Sequence, residues 1–139
     1  MTEDEIIARF ETGEVPCEGF HHIDHVRLAF AYLSRHPALP ALDRFTGALR
    51  HFAGSCGKPQ LYHETITHAY FFLIRERMAR AGAGDWEEFV RGNPDLLTWK
   101  DGILSRYYNQ ATLESDLARR IFLLPDKANF NPDESSRGV

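Results

Sequence analysis

The chain has 139 residues, 43% hydrophobic and 26% charged, which is one globular domain's worth and enough to bury a core without metal or disulfide help. Its formal net charge of -4, with acidic and basic residues interspersed, leaves no basic footprint for nucleic acid. The acidic start "MTEDEIIARF" does not read as a secretory leader, and no apolar run reaches membrane-spanning length. The cysteines, Cys17 and Cys56, lack CxxC spacing and are expected to be free thiols in a reduced cytoplasm.

Taken in order, "MTEDEIIARFETGEVP" suits a short helix with Ile6, Ile7 and Phe10 on one side. From His21 a second helix carries Val26, Ala29, Phe30 and Leu33 at helical spacing, and "RHPALP" is expected to stop it. "ALDRFTGALRHFAGSCGKP" repeats the pattern through Leu42, Phe45, Leu49 and Phe52 until Gly54 and Gly57 close it. "QLYHETITHAYFFLIRERMARAG" is the longest helical stretch, ending in basic residues and glycine as helix ends prefer. Further on, "DWEEFVRGNPDLL" reads as a short capped helix, "DGILSRYYN" as a turn or two, and "TLESDLARRIFLLP" as a last helix. Nothing alternates at strand period for long. The expected fold is all-α, a compact single-domain bundle of about five helices over residues 1–130, with a disordered polar tail at 131–139.

Two stretches concentrate imidazole and carboxylate at helix beginnings: "FHHIDHVRLAFAYL" and "YHETITH". A helix turns roughly 100° per residue, so side chains can be placed around its axis. On the second helix His22 and His25 fall inside the apolar sector, about 60° apart as i, i+3 neighbours are. His21 falls on the sector's edge, and Asp24 shares the polar strip with Arg27. On the long helix His63 lies in line with Ile66 and Tyr70, while Glu64 and His68 form an i, i+4 pair on the flank. Were the two beginnings adjacent, His22, His25 and His63 would converge with Glu64 at the rim.

Such a set fits a divalent transition metal, iron, zinc or copper, all of which favour imidazole. Glu64 would be a further ligand or the base that deprotonates a metal-bound water, with His21 and His68 as additional candidates. Arg106 and Tyr107 are candidates for holding a small organic substrate. A mononuclear centre with an open position would support hydrolysis or oxidation. The zinc-protease motif HExxH is not met, because His63 and His68 are five apart and point about 140° away from each other. The competing reading is a non-enzymatic binding module, and under either reading a homodimer is among the expected partners. In it the imidazoles stay neutral, cap helix N-termini and form a buried hydrogen-bonded network, and the "RYY" segment meets a partner. Neither reading calls for nucleic acid or a membrane.

"FHHIDHVRLAFAYL", "GKPQLYHETITHAYFFLI" and "GILSRYY" together resemble a small bacterial family of uncharacterised helical proteins over most of residues 19–125. That resemblance implies an all-helical fold and no particular activity. "HIDH" also looks like the first histidine region of the hemerythrin bundle, but the later HxxxE and HxxxH motifs are missing, so no di-iron dioxygen carrier is implied.

Overall fold

A computed structural model describes residues 1–82, 84–99 and 102–127. The expected tail at 131–139, with the last residues of the expected domain, lies outside the described residues. The chain forms α1 (Glu3–Glu11), α2 (His22–Arg35), α3 (Ala38–Ser55), α4 (Glu64–Ala81), α5 (Trp86–Gly92), α6 (Gln110–Leu113) and α7 (Asp116–Arg120). Single 3-10 turns at Pro59–Leu61, Pro94–Leu96 and Ile103–Arg106 join them. Among the described residues there is no strand, so the all-α class holds, and the helix count of seven is slightly above the expected five. No helix of the described residues is long and apolar enough to cross a membrane.

The core sits where α2, α3 and α4 meet. α2 is apolar around most of its circumference, and Val26, Leu28, Ala29, Phe30 and Tyr32 are all buried. Phe45 and Leu49 of α3 face them, as do Phe71 and Ile74 of α4. Each fully buried side chain of this size contributes roughly 1.5–3 kcal/mol of transfer free energy, which is what holds the three helices together. α1 is amphipathic and lies along α2. Phe10 packs on Phe20 and Phe52 with ring centroids 5.1 and 4.9 Å away, and the Tyr32 hydroxyl donates to Glu11 at 2.6 Å. Arg27 reaches Glu3 at 2.6 Å. Arg27 therefore leaves Asp24, and Asp24 instead turns back to accept the His21 N–H at 2.8 Å, as a residue in a first helical turn does.

Three local expectations are revised. The "RHPALP" stretch does not separate two helices at its end: α3 already begins at Ala38, because Pro40 falls in the first turn, where a missing N–H costs nothing. The expected last helix is broken in two. The Ser115 hydroxyl accepts the Ala118 N–H at 3.1 Å and starts α7 afresh, and from Ile121 the chain runs extended. The cysteines are not free thiols. Cys17 and Cys56 are joined in a disulfide, with Cα atoms 5.7 Å apart, because Phe20 and Phe52 pack together and carry the α1–α2 link onto the end of α3.

Candidate functional site

The two histidine stretches lie at the beginnings of α2 and α4, as the sequence implies. What their rings touch differs from a shared centre. His22 opens α2, half-buried, and its Nε2–H donates to the main-chain oxygen of Leu96 at 2.8 Å. The ring packs against Tyr70 and Trp99, with centroids 4.6 and 5.3 Å away. Burial lowers its pKa, with the Leu96 carbonyl opposing, so the ring is neutral at pH 7.

His63 uses both nitrogens. It is the N-cap of α4: Nδ1 accepts the Ile66 N–H at 3.0 Å, and Nε2–H donates to the Leu113 oxygen at 2.7 Å. Only the neutral tautomer with its proton on Nε2 makes both bonds. Burial lowers the pKa of this ring, with the Leu113 carbonyl working against the fall and Arg119 adding to it. The neutral N-terminal imidazole weighed against the metal reading is the form His63 takes.

His25 lies one turn beyond His22 with its ring 4.6 Å from that of Phe20. Desolvation pushes its pKa down to about 4, His22 adds to the fall and Asp24 opposes it. By surface area the residue is nevertheless exposed, so water at its open edge limits what that desolvation costs. The inward position expected of it is not taken, because the apolar sector there is filled by Val26 and Leu28. His21 is exposed and precedes the helix.

Glu64 belongs to another group. Its Oε1 accepts from Arg50 Nη2 at 2.8 Å and from the Tyr62 hydroxyl at 2.6 Å, and the Arg50 guanidinium lies 4.7 Å over the Tyr62 ring. Burial and this bond to Glu64 push the Tyr62 hydroxyl's pKa upward. His68 places Nδ1 2.9 Å from the Glu64 main-chain oxygen and 3.5 Å from Oε1. The carboxylate thus joins α3 to α4. Arg106 is exposed, 3.8 Å from Asp95, and Tyr107 is exposed beside a groove of about 170 Å³ lined by Phe72, Leu104, Phe122 and Pro125. Among the described residues, no three His, Cys, Asp or Glu side chains gather in a way that would hold a metal ion.

Sequence reasoning missed Thr65. It is fully buried, its hydroxyl donates to the Ile121 oxygen at 2.7 Å, and it accepts the Leu123 N–H at 3.0 Å. The Tyr108 hydroxyl donates to the Leu123 oxygen at 2.7 Å. A pattern links these bonds. Beyond α5 the chain has few helical turns to satisfy its own carbonyls, and buried carbonyls need donors. Side chains at the beginnings of α2 and α4 supply them. The available signal was a threonine in the first turn of an apolar helix, between Glu64 and Ile66, whose hydroxyl has to find a partner once buried. Comparison with protein families, curated proteins and solved structures finds no match for the chain.

Proposed function

We propose that this protein is a non-enzymatic helical binding module whose histidines are structural connectors. One observation carries the reading: His22 and His63 spend their ring N–H groups on the carbonyls of Leu96 and Leu113, and His63 spends its remaining nitrogen on capping α4. To ligate a metal, His63 would have to release a cap and a buried hydrogen bond together, each worth roughly 1 kcal/mol or more. The open apolar groove beside Tyr107 and Phe72, with Glu76 among its lining residues, fits an apolar anchor of a partner better than a polar substrate. A cytoplasmic location fits this reading with a disulfide that opens and closes, as cytosolic disulfides generally do.

Thermal melting of untagged protein with chelator, and with added Zn(II), Fe(II) or Cu(II), tests it. A metal that binds only the folded state raises Tm by mass action. The connector reading expects no rise. A metal-dependent rise that His25→Ala abolishes would overturn it in favour of a metal site that includes His25.

A further inference from the structure

The link between α1 and α2 is held by side-chain packing and a disulfide. Among the described residues, 15–20 make no hydrogen bond to the rest of the chain. Val15 and Phe20 pack against the core, and the only covalent tether is the disulfide from Cys17 to Cys56, the residue that ends α3. Cys17 is exposed, so a thiolate from solution can reach it. Both sides of the link are secured without the disulfide. Before it, Glu11 holds Tyr32, Glu3 holds Arg27, and Phe10 is buried in the core. After it, Asp24 caps the His21 N–H and α2 is locked in the core.

We infer that the Cys17–Cys56 disulfide is a reversible clamp: reduction by a dithiol frees the link over residues 15–20 from the end of α3 while the helical bundle stays folded. The reductant's thiolate attacks the Cys17 sulfur and the Cys17–Cys56 bond breaks. Cys56 leaves as a thiolate and takes up a proton. The reductant's second thiol then displaces the Cys17 sulfur, which is protonated in turn. Two electrons pass to the cysteines and the reductant departs as its own disulfide, so atoms and charge balance. What opens is the cover that Phe20 forms over Phe10 and Phe52, on which its ring packs with centroids 5.1 and 4.9 Å away in the oxidised form.

The test uses the full oxidised chain. Dithiothreitol is titrated without denaturant, thiols are counted by alkylation and mass spectrometry, and far-UV circular dichroism and amide hydrogen exchange are followed. The expected result is two alkylated thiols, unchanged helicity, loss of amide protection confined to the last turn of α3, where the Cys56 N–H bonds Phe52 and the Lys58 N–H bonds Ala53, and faster proteolytic cleavage after Glu18 in the reduced form, since residues 15–20 have no bonded amide to lose. Closing a loop of this length predicts that Tm falls by roughly 10 °C on reduction, and that reoxidation restores it. Cys17→Ser should reproduce the reduced form and be insensitive to dithiothreitol. The clamp is refuted if the thiols react only in denaturant, if reduction melts the whole chain, or if neither cleavage after Glu18 nor exchange in the last turn of α3 changes. Failure of Cys17→Ser to fold would refute it equally.

Discussion

His63→Asn separates the two bonds that His63 makes. Asn is among the best N-caps, so the bond to the Ile66 N–H is kept, but its side chain is too short to reach Leu113. The lost bond is a 2.7 Å hydrogen bond at a residue only 8% exposed, and it leaves the Leu113 carbonyl without its donor. Such a loss costs roughly 1–2 kcal/mol. His63→Ala removes the cap as well and should cost about 1 kcal/mol more. The pH dependence follows from the tautomer. Protonation puts a proton on Nδ1, which then faces the Ile66 N–H donor to donor. Burial holds the folded pKa below the ordinary 6.5, with the Leu113 carbonyl opposing. The unfolded chain binds the extra proton, so this stability is whole above about pH 6.5 and declines as pH falls towards the lowered folded pKa. Urea denaturation of wild type and both variants at pH 7.5 and pH 5 reads each step. Wild type should lose more stability than His63→Asn on acidification, since the variant has no ring to titrate there. The reasoning fails if the two alanine and asparagine variants are equally stable, or if the acid loss is the same in His63→Asn as in wild type.

Thr65→Val keeps the shape but leaves the Ile121 carbonyl and the Leu123 N–H unpaired, for a cost of roughly 2–4 kcal/mol, and Thr65→Ser should recover most of it. Urea midpoints within error of wild type for Thr65→Val would count against the connector account. A Cβ at Gly102 would lie 2.8 Å from the Tyr70 hydroxyl and 2.9 Å from the Trp99 main-chain oxygen. Gly102→Ala should therefore cost roughly 1–3 kcal/mol and shift tryptophan emission, because backbone does not yield as a flexible side chain would. Arg77 grips Asp95 through two nitrogens at 3.0 and 2.9 Å, and this holds the Asp95 pKa below its ordinary 3.8. The pair's contribution is present above that pH and lost as pH falls through the lowered value. Partial exposure caps it at about 1 kcal/mol, and Arg77→Lys should remove most of the acid-side difference in melting temperature.

The three long helices were legible because Leu28, Phe45, Ile74 and their neighbours recur at helical spacing, and burial follows from that period. The location of His22 and His63 at helix beginnings was legible for the same reason. Their partners were not. A main-chain carbonyl looks alike at Leu96, Leu113 and any other residue, so nothing in the sequence marks it as an acceptor. The disulfide was hidden too, since pairing depends on the Phe20–Phe52 contact that carries residue 17 to residue 56, a fact of three dimensions. The break before α7 turns on Ser115, whose hydroxyl competes locally with the helix it interrupts.

Because the acceptors at Leu96, Leu113, Ile121 and Leu123 are peptide oxygens, the identity of the side chains at those positions does not enter these hydrogen bonds. Tolerance to substitution should therefore be lopsided. The donor side, at His22, His63 and Thr65, admits few replacements, while the receiving segment, Tyr108 excepted, can drift in sequence so long as its path is kept and its apolar positions stay apolar. Diverging copies of this fold would keep a conspicuous polar signature on two helix beginnings opposite a stretch with little signature of its own.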